Sequence, residues 1–283
     1  MSKRRFASGE QYGFYEFLSK FKILETIHWD ERAIGIAINQ VCWDMAREGL
    51  DYVELKFTVD KYMRFMDWTP QKAIKLIHHF VEQESQFDRV KVGLVLSIKY
   101  ETDKALQKKI AAIIDDSDVA DLVVGIDLVG DEAKFDPDFF VPLLKPWSKA
   151  GKGVMAHVGE SQSAENVRIA IEKLNVKRVS HGIKAVSDPN IIALAKERNI
   201  CFDIALSSNI CTGVAMGVKY HPIWKLLEEG CIVTIGTDDP YVLNTTLDRE
   251  YEMLSGMISD DKIMDIMDNS VKYALLDLKN IQK

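Results

Sequence analysis

Three short apolar runs in the second half of the chain each end in titratable side chains. Val154-Met155-Ala156-His157-Val158-Gly159-Glu160 delivers an imidazole and, three residues on, a carboxylate. Val176-Lys177-Arg178-Val179-Ser180-His181-Gly182 delivers a second imidazole. Cys231-Ile232-Val233-Thr234-Ile235-Gly236 leads into Thr237-Asp238-Asp239-Pro240, two adjacent carboxylates at the tip of a buried-looking strand. Imidazole and carboxylate groups bind metal ions and carry protons in acid–base catalysis. Each residue also has a plainer reading. A lone histidine after an apolar strand is often a hydrogen-bonded rim residue, Glu160 can cap a helix starting near Ser163, and Asp239 can cap one before Pro240. The repetition of one layout is what favours chemistry.

Parallel strands with helices between them would bring such groups together. Near-continuous apolar runs at Tyr52–Thr58, Val92–Ile98, Leu122–Asp127, Gly153–His157, Arg178–His181, Cys201–Leu206 and Ile232–Gly236 suit strands covered on both faces. Ile34, Ile38, Val41 and Met45 form a helical stripe with Gly49 at its stop. Thr69-Pro70 reads as a cap and first turn ahead of Ala73, Ile77 and Phe80, and Asp188-Pro189 and His221-Pro222 open helices in the same way. Alternating strand and helix argues for a parallel α/β domain. In a (β/α)8 barrel the reactive groups sit at the C-terminal ends of the strands, where His157, His181, Asp238 and Asp239 fall. A doubly wound sheet would gather its ligand at one switch point; no G-x-G-x-x-G or G-x-x-x-x-G-K-[ST] loop occurs.

The 283 residues suffice for one barrel-sized domain or two smaller ones, and nothing in the composition divides the chain. A formal charge of −7 argues against a nucleic-acid partner, which needs a basic face. No apolar stretch approaches the ~20 residues that span a bilayer. Lys3-Arg4-Arg5 is followed by no apolar segment of the kind a secretory signal requires. Cys42, Cys201, Cys211 and Cys231 form no C-x-x-C pair and read as reduced core thiols of a cytoplasmic protein. Trp29, Trp43, Tyr62 and Trp68 read mostly as core or helix-packing residues, and His28 as a surface residue.

Six segments together resemble the adenosine deaminase family of metal-dependent amidohydrolases, over about residues 10 to 280. They are Ile126-Asp127-Leu128-Val129-Gly130-Asp131-Glu132, His157-Val158-Gly159-Glu160, Ser180-His181-Gly182, Leu206-Ser207-Ser208-Asn209, His221-Pro222-Ile223 and Thr237-Asp238-Asp239-Pro240. The resemblance implies a zinc-dependent TIM-type barrel that hydrolytically deaminates adenosine or a related 6-aminopurine nucleoside or nucleotide, releasing ammonia. It implies His157 and Asp238 as ligands of one zinc ion and Glu160 as the acid that protonates the purine ring. His181, with Asp238, would align the reactive water. Asp239 would hydrogen-bond the purine's five-membered ring, and Gly130 would offer its backbone N–H at close approach. Ser207-Ser208-Asn209 lacks the G-x-S-x-G elbow of a serine nucleophile and reads as a rim or loop-bonding segment. The H-x-E and P-C-x-x-C pattern of deaminases acting on flipped bases is absent.

One family element has no match. The family's first strand carries a His-x-His pair supplying two zinc ligands, and none of the six histidines here forms one. The resemblance therefore implies a single barrel domain over residues 1–283, short of its first strand, with seven candidate strands where a closed barrel has eight. A separate polypeptide, an N-terminal exon or a second copy of the chain could donate that strand by strand addition. Two rival readings follow: a catalytically inactive deaminase-like subunit that binds a purine or a partner protein, or an amidohydrolase acting on a different amine.

Overall fold

The computed structural model of the chain describes residues 13–27, 29–88, 90–276 and 278. The Lys3-Arg4-Arg5 cluster and His28 lie outside these residues. Seven strands occur among them: β1 (Tyr52–Thr58), β2 (Lys91–Lys99), β3 (Gly125–Val129), β4 (Gly153–Val158), β5 (Arg178–His181), β6 (Cys201–Ile204) and β7 (Ile232–Ile235). They lie side by side in chain order. The ladders β1–β2, β2–β3, β5–β6 and β6–β7 are parallel, and helices fill the connections. This is an α/β fold with one strand fewer than a closed (β/α)8 barrel.

The chain divides into two compact units. Among the described residues, one comprises residues 13–22 and 156–273 and the other those from 23 to 155 and from 274 onward, so β4 begins in the second and ends in the first. In the second unit, β2 is buried from Leu94 to Ile98. Leu94, Leu96, Ile126 and Leu128 interleave on β2 and β3, where Leu96 is level with Ile126 and Ile98 with Leu128. Helix Pro137–Lys149 adds Phe140, Leu144 and Trp147 to this core. The Trp147 ring is fully buried and satisfies its N–H on the Ala111 carbonyl at 2.8 Å. Lys56 on β1 meets the fully buried Asp127 on β3 at 2.8 Å.

In the first unit, Val179, Phe202 and Val233 sit level on β5, β6 and β7 and are wholly buried. Arg178 grips the Asp203 carboxylate with two nitrogens, at 3.0 and 2.6 Å from Oδ2. It also donates to the Tyr273 carbonyl, while Thr234 donates to Asp203, so β5, β6 and β7 share one polar clasp.

Helix starts follow local chemistry. Thr69 Oγ1 accepts from Lys72 N–H and Asp188 Oδ1 from Asn190 N–H, each just ahead of a proline at the first helical turn. Three expectations shift. β3 begins at Gly125, because Leu122 and Val123 donate to the carbonyls of Val119 and Ala120 and close the preceding helix. β6 ends at Ile204, and Leu206–Cys211 is a helix. Trp43 is 46 % exposed, with the Arg47 guanidinium over its ring at 4.6 Å; Cys42 takes the buried place in helix Glu31–Arg47. Tyr62 stacks on Trp68 with centroids 5.7 Å apart. All four cysteines are free, and three of them are buried. No helix among the described residues is long and apolar enough to cross a membrane.

Candidate metal and acid–base centre

Sharp turns at the ends of β4, β5 and β7 place the titratable groups, and all of these turns lie in the first unit. His157 is the penultimate residue of β4, and Glu160 follows after Gly159. β5 stops at His181, whose backbone is left-handed at φ 63°, followed by Gly182 at φ 65°. Two consecutive left-handed residues are costly without glycine. A Cβ at Gly182 would lie 2.6 Å from the Phe202 ring, so glycine suits that position on both counts. The turn is tied down by Gly182 N–H to the Val158 carbonyl at 3.0 Å and Lys184 N–H to that of Gly159 at 2.8 Å. These two bonds set the spacing between the segments carrying Glu160 and His181.

β7 runs on through Gly236, whose N–H reaches the Ile204 carbonyl at 2.9 Å, to Asp238 at φ 55°. His181 and Asp238 are thus both non-glycine residues in the left-handed region, a conformation that clusters where a side chain must be aimed. Asp239 caps the short helix Pro240–Leu243 through its main-chain carbonyl, which accepts from Val242 and Leu243.

The side chains converge. The rings of His157 and His181 meet edge to face with centroids 5.1 Å apart. His181 Nε2 lies 3.6 Å from Glu160 Oε2 and 3.9 Å from Asp238 Oδ2. One ligand atom each from His157, His181 and Asp238 falls within 4.8 Å of the others. Glu160 and His181 are buried, whereas the Asp238 carboxylate is about one-fifth exposed. Imidazole nitrogen and carboxylate oxygen converging at this spacing suit a zinc ion.

Behind this cluster stands a polar layer that the sequence reading did not assign. Asn209, on helix Leu206–Cys211, donates through Nδ2 to Glu160 Oε1 at 3.3 Å and lies 3.1 Å from His181 Nδ1. Its Oδ1 is 3.2 Å from His221 Nε2, and His221 Nδ1 accepts from Ile223 N–H at 3.0 Å. Burial pushes the His221 imidazole down to about 4. Glu250, fully buried and raised by that burial, accepts from Ser207 N–H at 3.1 Å and Thr245 Oγ1 at 2.8 Å. It clips the segment after β6 to the segment after β7. Asn209 and His221 stood in segments already singled out, the first read as rim or loop-bonding and the second as a helix start. Glu250 carried no signal beyond an acidic residue on an amphipathic helix.

A cleft of about 530 Å³ opens beside Ser161 and Gln162, the residues following Glu160, and is bounded by Phe14, Tyr15, Thr212 and Gly213. Gly130 lies in the other unit, at φ 93° after β3. A Cβ there would run into the Glu101 carboxylate, which accepts from Asp131 N–H at 3.1 Å.

Residues 3–283 match the family model described as adenosine deaminase. The chain belongs to the adenosine deaminase family. An adenosine deaminase from Pseudoalteromonas translucida is 30% identical over 237 residues, 81% of this chain and 70% of that one. Among solved structures, the adenine deaminase from Arthrobacter aurescens superimposes with a TM-score of 0.86 at 17% identity, over 94% of this chain and 81% of that one. An amidohydrolase from Burkholderia ambifaria, solved with bound zinc, gives 0.84 at 22% identity over 92% and 73%. These likenesses carry the barrel-type fold, of which seven strands occur among the described residues.

Proposed function

We propose that the chain is a purine deaminase that removes the exocyclic amine of a 6-aminopurine nucleoside or nucleotide by adding water at C6 and expelling ammonia. The observation that carries this is the convergence of His157, Glu160, His181 and Asp238 from three strand ends, within a chain of the adenosine deaminase family.

His157 and Asp238 are the residues that would hold zinc. When bound, zinc supplies the Lewis acidity that makes water nucleophilic near neutral pH. Asp238 keeps an exposed edge from which it can accept a proton from the incoming water. Glu160, buried and held by Asn209, donates a proton to a ring nitrogen as the C6–O bond forms. His181 stands between the two carboxylates, where it can stabilise charge on the incoming oxygen. Asp239 hydrogen-bonds the five-membered ring. The cleft lined by Ser161 and Gln162, which follow Glu160 in the chain, has the volume of a small-molecule site. The partner is then a purine small molecule, with neither a nucleic acid nor a membrane required.

Ammonia release from adenine, adenosine and adenosine monophosphate, measured with zinc-supplemented protein, tests this reading. Glu160→Gln keeps shape and removes the proton, so the rate on the best substrate should fall about 10²–10⁴-fold. Full activity in that variant would remove Glu160 from the reaction. A second reading is favoured by the absence of any H-x-H in the sequence: a binding subunit that becomes active when a partner, a second copy included, supplies a His-x-His strand. Zinc binding and ammonia release that both appear only on adding a peptide bearing that strand would select it.

A further inference from the structure

The hydrogen-bond directions around Asn209 determine which nitrogen of His181 carries the proton. The series starts from a group with no freedom of role: the main-chain N–H of Ile223, 3.0 Å from His221 Nδ1, makes that nitrogen an acceptor. Burial keeps the His221 ring neutral, so its proton sits on Nε2. That Nε2–H faces Asn209 Oδ1 at 3.2 Å. Turning the amide over would set NH2 against N–H, two donors face to face, so the network assigns the amide orientation. The Asn209 NH2 group is then directed at Glu160 Oε1, 3.3 Å away, and His181 Nδ1, 3.1 Å away. His181 Nδ1 accepts from this group, which leaves the ring's proton on Nε2, facing Glu160 and Asp238. Asn209, His181 and His221 are all buried, where an unmatched donor pair is expensive.

We propose that Asn209 and His221 are positioning residues that lock His181 as its Nε2–H tautomer. The ring thereby presents a proton donor, and no metal-ligating lone pair, to the space between Glu160 and Asp238. This divides the three groups that could bind a cation. His157 and Asp238 are then the residues that would hold a metal, while His181 donates to the oxygen being added to the purine. The division of labour rests on the deaminase reading above; the tautomer does not.

Nuclear magnetic resonance of the zinc-supplemented full chain labelled with ¹⁵N-histidine reads the tautomer directly, with His181 assigned by its loss in His181→Gln. Wild-type His181 should show an unprotonated Nδ1 and a protonated Nε2. Asn209→Asp is isosteric and replaces the donor with an acceptor, so the proton should move to Nδ1. The kcat for ammonia release should fall about 10–100-fold, as when a group that orients a catalytic histidine is changed, with KM little altered. His221→Gln keeps one acceptor and one donor and should retain the Nε2–H form and most of kcat, whereas His221→Leu should lose both. A wild-type ring protonated on Nδ1 overturns the proposal without any variant, as does Asn209→Asp that keeps the wild-type tautomer and rate. An Nε2–H tautomer in a chain that deaminates nothing would leave the relay standing and sink the deaminase reading. An active enzyme with Nδ1–H would do the reverse.

Discussion

Acid should weaken this protein partly through one residue, His221, and the size of the effect follows from its burial. Its ring is 2 % exposed and its pKa is lowered by desolvation from 6.5 to about 4. The unfolded chain takes up the proton as pH falls below 6.5, and the folded chain does so only near 4. The contribution is therefore fully present above about 6.5 and is lost as pH drops from there towards 4. At 1.36 kcal/mol per pH unit, the full window is worth about 3 kcal/mol, and the part above pH 5 about 2 kcal/mol. The structural cause is specific: protonation would turn Nδ1, the acceptor for Ile223 N–H, into a donor facing a donor. His221→Gln keeps both hydrogen bonds and cannot titrate. Urea unfolding of the full chain, followed by tryptophan fluorescence at pH 7 and pH 5, isolates the effect, since the other titrating groups are common to both proteins. Wild type should lose about 2 kcal/mol more than His221→Gln between these pH values. Parallel losses would show instead that the ring is solvated or charged in the folded state.

Two further outcomes follow from the packing. Trp147→Ala removes the largest fully buried side chain and orphans the Ala111 carbonyl, so chemical denaturation should show a loss of about 3–5 kcal/mol. Gly182→Ala must place a Cβ 2.6 Å from the Phe202 ring at φ 65°, costing at least about 1–2 kcal/mol for the backbone alone. Because His181 precedes it, kcat at a temperature where the variant is still folded should fall as well, and an unchanged kcat would show that the turn does not aim the ring.

Much of the fold was legible because buried parallel strands write themselves as short apolar runs. The limits of β1 and β5 coincide with the expected Tyr52–Thr58 and Arg178–His181. The errors lie where apolar residues serve another element. Leu122 belongs to a turn closed by Val119, and Leu206 is the first residue of the helix that carries Asn209. A run of apolar letters does not say where pairing stops. His157, His181 and Asp238 could be singled out because they sit at or just past the C-terminal ends of strands, which a parallel arrangement gathers at one end of the sheet. The layer behind them was not legible. Asn209 stood in a segment read as rim or loop-bonding and His221 in a helix-start pattern, and only coordinates show that Asn209 faces Glu160 and His181 while His221 faces Asn209. The left-handed backbone at His181 and Asp238 had no sequence signal, since neither residue type requires it.

Zinc titration of the purified chain, with ammonia release from a 6-aminopurine followed in the same samples, checks the proposed cation site at His157 and Asp238. Binding should saturate at about one zinc per chain, with ammonia release rising in step. His157→Ala and Asp238→Ala should lose both together, while Glu160→Gln keeps the metal and loses only the chemistry. Zinc uptake and turnover that survive in His157→Ala, or a zinc-saturated wild type that leaves every 6-aminopurine intact, would contradict it.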